Sequence, residues 1–103
     1  MTDKLIRDGK VAVIYSPGSG EGWSSWVEDA YAEFFMFDRQ LAEMVLSGDL
    51  SGVADYIEAH CPKSYCSASS IATLQVGWVP QGSPFYIHEY DGDEHLVLDF
   101  RTA

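Results

Sequence analysis

The feature that most restricts the fold is a change of hydrophobic period along the chain. Between residues 38 and 61 apolar side chains return every three or four positions, at Leu41, Met44 and Val45, then at Leu50, Val53, Ala54, Ile57 and Cys61. That spacing predicts two amphipathic helices. Asp38 and Asp49 stand where N-caps belong, Gly48 stands where the first helix should stop, and Pro62 closes the second. A helix hairpin with a Gly-Asp corner is therefore expected. From Ile71 the period becomes two. Leu74, Val76 and Trp78 alternate with Gln75, Gly77 and Val79, and a turn follows at residues 80–83. Two more alternating runs, 85–90 and 95–100, flank Asp91-Gly92-Asp93-Glu94, a hairpin signal. Near the start, residues 11–15 are apolar and rich in β-branched side chains, too short for a helix, and read as a strand buried on both faces. Asp8-Gly9-Lys10 before it is a turn signal. Helices segregated from strands predict an α+β fold: one N-terminal strand, two or three helices, then a three-stranded antiparallel meander with the helices on one face. A length of 103 residues fits a single domain.

Between the first strand and the first helix lies a stretch with Gly18, Gly20 and Gly22, followed by Trp23 and Trp26. Glycines admit backbone shapes other residues avoid, and tryptophans bury large areas. The pattern predicts a tight loop anchored to the body by its tryptophans. It is not a phosphate cradle of a known kind. A P-loop needs glycine five after Gly18 and then lysine, but Trp23 stands there and no lysine is near. A dinucleotide fingerprint needs its third glycine at that same position, and a serine nucleophile elbow needs glycines two residues either side of the serine. Glu21 would repel phosphate. Beyond the loop, Ala30, Glu33 and Phe34 suit a helix that Ser25 is expected to cap. The run 34–37 reads as core.

Charge excludes one class of partner. The net charge is −10, and between residues 11 and 100 fourteen carboxylates face only Arg39 and Lys63. Such a chain repels nucleic acid and attracts basic proteins, including proteins whose own ligand is nucleic acid. The acidic surface is expected at Glu28, Asp29 and Glu33, at Asp55 and Glu58 on the outer face of their helix, and at Asp91, Asp93 and Glu94. The polar opening residues do not resemble a signal peptide, and no apolar run reaches the ~20 residues of a membrane span. A cytosolic protein with Cys61 and Cys66 reduced is expected. With His60, His88 and His95 these cysteines match no zinc spacing, so neither metal nor cofactor is expected.

The last two strands offer the best set of reactive side chains. With Gly92 and Asp93 as turn residues, Tyr90 faces His95, His88 faces Val97 and Tyr86 faces Asp99. The opposite face then carries Phe85, Ile87, Leu96, Leu98 and Phe100 and belongs to the core. A one-residue slip would exchange the faces. Tyr86, His88 and Tyr90 are accordingly expected on a surface open to a partner. No nucleophile motif accompanies them and the face is a sheet surface rather than a cleft, so an enzyme is not expected.

Three stretches together resemble a family of small proteins encoded by phages and prophages. They are Tyr15-Ser16-Pro17-Gly18-x-Gly20-x-Gly22-Trp23-Ser24-x-Trp26, the Phe37-Asp38 helix start, and Trp78-Val79-Pro80-x-Gly82 with the following Phe85-x-Ile87-x-Glu89-Tyr90-Asp91-Gly92-x-Glu94. The chain departs from that pattern at Ser19, where a larger residue is usual, and at Glu21, where alanine is. The resemblance implies a phage context and, by class, an inhibitor of host defence such as an anti-CRISPR protein. The expected mode is binding: an acidic surface occupying a basic nucleic-acid-binding groove, for example on a CRISPR effector subunit in the host cytoplasm. The alternative is a sponge for a small nucleotide-like signal, using the glycine loop and the Trp23 and Trp26 rings.

Overall fold

The computed structural model describes residues 3–17, 23–25, 29–60, 71–90 and 93–98. Within them the order is β1 (Ile6–Arg7), β2 (Lys10–Tyr15), α1 (Asp29–Phe37), α2 (Arg39–Ser47), α3 (Leu50–His60), β3 (Gln75–Pro80), β4 (Phe85–Tyr90) and β5 (Asp93–Leu98). The class is α+β, as expected.

Local chemistry sets the helix ends. Asp38 accepts the Leu41 N–H at 3.2 Å, the N-cap bond its position implies. Gly48 takes φ +81°, and the Gly48 and Asp49 amides return to the carbonyls of Val45 and Met44, a left-handed stop that a β-carbon would strain. Asp49 then accepts the Gly52 N–H at 3.1 Å and opens α3. Ser25 does not cap α1, which begins at Asp29; its amide and hydroxyl are both turned to Glu94 instead. Cys61, Pro62 and Cys66 lie outside the described residues.

The strands depart from the expected layout in three ways. First, the N-terminal strand has a partner. Asp8 and Gly9, at φ +52° and +76°, turn the chain so that Ile6 pairs with Val11 and Arg7 with Lys10. Second, there is no three-stranded meander. β3 pairs antiparallel with β2, from Lys10↔Pro80 to Tyr15↔Gln75, giving a sheet ordered β1-β2-β3, while β4 and β5 form a sheet of their own. The reason lies in the link between them. Gln81 donates to the Gly9 carbonyl, Ser83 returns to Pro80, and Gly82 at φ +85° turns the chain over the sheet rather than back alongside it. Third, Tyr90 pairs with Asp93, so Asp93 belongs to β5 and is not a turn residue. His88 then faces His95, and Tyr86 faces Val97. The shift is two residues, so each side chain keeps its face.

The β1-β2-β3 sheet is covered on both sides, which is why Ala12, Val13 and Ile14 are all fully buried. Ala12 and Ile14, with Val76 and Trp78, face a core built from Trp23, Phe35, Leu41, Ala42, Val53 and Ile57. On the other side the hairpin lies across the sheet. Leu96 sits directly over Gly77, where a β-carbon would collide with its Cδ2. Phe85 meets Phe37 edge to face at 6.0 Å. Gly77 is therefore the seat of the hairpin. Gly77→Val is expected to cost ~1–3 kcal/mol in urea melts by overpacking, and less in a Leu96→Ala background. Equal costs in the two backgrounds would show that Leu96 does not rest on Gly77.

Candidate functional site

Two places gather the side chains singled out in the sequence. One is the root of the glycine-tryptophan loop. The other is the outer face of the β4-β5 hairpin.

At the loop root, Glu94 is fully buried and acts as an acceptor for both ends of the loop. Its Oε1 accepts the Ser16 N–H at 3.1 Å. Its Oε2 accepts the Trp23 and Ser25 N–H groups, each at 3.0 Å, and the Ser25 hydroxyl. The Glu94 amide in turn donates to the Ser16 carbonyl at 2.9 Å, tying β5 to the end of β2. An ionised carboxylate only accepts, and every one of these partners donates. The Ser16 hydroxyl lies 2.6 Å from that of Thr73. Glu94 is thus no part of an acidic surface. Buried charge is tolerated only when paired or hydrogen-bonded, and here main-chain dipoles do that work.

Trp23 is the anchor the sequence suggested. Only 1 % of it is exposed, its ring lies 4.5 Å from that of Phe35, and its indole N–H donates to the Phe35 carbonyl at 2.6 Å. That carbonyl belongs to the last turn of α1, where carbonyls have no helical partner. Residues 18–22, Trp26 and Glu28 lie outside the described residues; Asp29 is the first residue of α1.

On the hairpin, Tyr86, His88 and Tyr90 point outward beside Val97, His95 and Asp93, while Phe85 and Ile87 are half-buried beneath. Tyr86 is 47 % exposed and Tyr90 77 %. Asp93 is half-buried, its Oδ1 shielded from solvent and 3.2 Å from His95 Nε2, without hydrogen-bond alignment. Asp91 and Asp99 lie outside the described residues. No group of three or more metal-binding side chains gathers among the described residues.

The helical layer carries a further set of acids. Glu33, Asp55 and Glu58 are exposed, as are Glu43 and Asp49. Arg39, the single arginine or lysine of the three helices, pairs with Glu43 at 3.2 Å. An open groove of about 620 Å³ runs along α2 between Asp3, Arg39, Glu43 and Tyr56. A smaller cleft of about 250 Å³ separates sheet from hairpin, lined by Ile6, Val11, Phe37, Val79 and Phe85 with Lys4 at its side. Among the described residues no helix is long and apolar enough to cross a membrane. No protein-family model, curated protein or solved structure matches the chain.

Sequence reasoning missed the role of Glu94, although a signal was present. By alternation Glu94 shares a face with Leu96 and Leu98, so a charge there stands on the apolar side of its strand. Glu94→Gln turns an NH₂ group toward main-chain donors and is expected to cost ~2–4 kcal/mol in urea melts. Trp23→Ala is expected to cost ~3–5 kcal/mol. If either variant melts like the parent, the loop root is not what fixes the fold.

Proposed function

We propose that the chain is a small phage-type inhibitor of a host defence complex, acting by binding rather than catalysis. Its acidic surface occupies a basic groove that otherwise holds nucleic acid, as on a CRISPR effector subunit in the host cytoplasm. One observation carries this reading. The exposed carboxylates of the helical layer, Glu33, Asp55 and Glu58 among them, have a single Lys or Arg on their own helices, Arg39, and Glu43 already engages it. That surface therefore presents uncompensated negative charge, which attracts lysine and arginine arrayed for phosphates. The resemblance to phage-encoded proteins supplies the context. Trp23 offers no ring to a small ligand because it is buried, so a nucleotide sponge would depend on Trp26 and the glycines alone.

The Asp91, Asp93 and Glu94 cluster is a poor probe of this reading, since Glu94 holds the fold together. The helical acids are the clean one. With a partner captured from host lysate, the Glu33→Gln/Asp55→Asn/Glu58→Gln variant is expected to associate roughly three- to tenfold more slowly at low salt. The difference should shrink near physiological ionic strength, where charges beyond ~8–10 Å are screened. DNA or RNA should displace the parent protein. Salt-indifferent binding, together with simultaneous binding of nucleic acid, would overturn the proposal.

A further inference from the structure

We infer that the outer face of the β4-β5 hairpin reads arginine: Tyr86 and Tyr90 stack guanidinium groups of the partner, and Asp93 pairs with the one over Tyr90. The inference rests on the acidic-inhibitor reading and names its point of grip and the chemistry of its partner, an arginine-rich segment of a nucleic-acid-binding protein.

Four observations lead there. Among the described residues ring exposure is concentrated on this face, with Tyr90 at 77 % and Tyr86 at 47 %. On the helical layer Tyr56 is half-buried, stacked against Phe34 at 5.8 Å and tilted against His60 at 4.1 Å. Among the described residues the helices therefore offer no exposed ring beside their acids.

Next, Tyr90 and Asp93 are direct cross-strand partners. Opposed side chains on one face start ~4.5–5.5 Å apart at their β-carbons. A flat cation lying on the Tyr90 ring is thus within reach of the Asp93 carboxylate. The His95 ring lies beside that carboxylate, its Nε2 3.2 Å from Oδ1.

Charge is complementary as well. Apart from the buried Glu94, residues 85–98 contain Glu89, Asp91 and Asp93 and no lysine or arginine. An incoming cation therefore meets no lysine or arginine on the hairpin itself.

Last, the fold already uses ring faces for its own cations. Lys4 Nζ lies 4.4 Å from the centre of Phe37, and the Arg7 guanidinium 5.8 Å from that of Trp78. Among the described residues neither hairpin tyrosine has such a cation from this chain. Arginine suits them better than lysine. Its guanidinium is planar, weakly hydrated, stacks on aromatic rings, and presents two N–H groups to one carboxylate.

The test uses oligoarginine and oligolysine of equal length, each carrying a fluorescent label and titrated with the full chain at low salt. The parent is expected to bind oligoarginine roughly five- to tenfold more tightly than oligolysine. Tyr86→Ala/Tyr90→Ala should bring the two affinities together, with little change in melting because both rings are exposed. Glu33→Gln/Asp55→Asn/Glu58→Gln should weaken both peptides alike and leave the preference for arginine. Equal affinities in the parent, or a preference that survives loss of both tyrosines, overturns the inference while salt-dependent binding leaves the acidic-inhibitor reading standing. Binding of neither peptide overturns the inference and that reading together.

Discussion

The Glu94 carboxylate is the contact on which the other parts of the molecule depend. The two sheets share no strand ladder, so the hairpin is joined to the body only by contacts of its own. Packing supplies two of them, Leu96 on Gly77 and Phe85 on Phe37. Glu94 supplies the polar one, and it reaches two segments at once: the end of β2 at Ser16, and the far end of the glycine loop at Trp23 and Ser25. From Trp23 the connection continues through the indole to Phe35 and α1. One side chain thus links hairpin, sheet, loop and helix. Removing it would strand three main-chain N–H groups in a buried place, where each lost partner costs more than an ordinary hydrogen bond contributes.

This use of a carboxylate divides the acids into two kinds. Asp38 and Glu94 are buried and serve as acceptors for main-chain amides, one capping α2 and the other closing the loop. Glu33, Asp55 and Glu58 are exposed and belong to the field that surrounds the protein. Counting carboxylates in the sequence overstates that field, because it adds the two kinds together. The aromatic residues divide in the same way. Trp23 and Phe35 build the core, whereas Tyr86 and Tyr90 lie open. Burial, not residue type, decides which can meet a partner.

What was legible in the sequence was what local chemistry decides. Asp38, Gly48 and Asp49 mark the helix ends through bonds that span three or four residues, and their types announce those bonds. The doubly buried β2 was legible because a run of apolar β-branched residues has no polar face to leave exposed. The faces of β4 were legible from alternation alone. Pairing was not. Alternation says which side of a strand is apolar, but it does not say which strand lies beside it, and β3 found β2 across sixty residues of chain rather than its neighbour β4. Ile6–Arg7 is too short to show a period, so its partnership with β2 left only the Asp8-Gly9 turn as a trace. The misplaced hairpin turn is different in kind: Asp-Gly is the stronger two-residue turn signal, and it stood at residues 91–92. Ser25 has the right type for a helix cap, but a buried acceptor with both oxygens nearby outweighed that preference.

The layered arrangement also bears on how the hairpin could act. A two-stranded ribbon alone in water is marginally stable, and an unsupported one would lose much of its contact energy to ordering on binding. Here the inner face is seated on Gly77 and Phe37, and β5 is bonded through the Glu94 amide to Ser16. Tyr86 and Tyr90 are therefore displayed from a ribbon whose backbone is already fixed. Tyrosine adds only two side-chain torsions to be ordered, so rings on such a support lose little freedom when a partner covers them. In the proposed binding mode Glu94 acts without touching a partner: by bonding Ser16, Trp23 and Ser25 to β5, it holds in place the strand that carries Asp93 and His95.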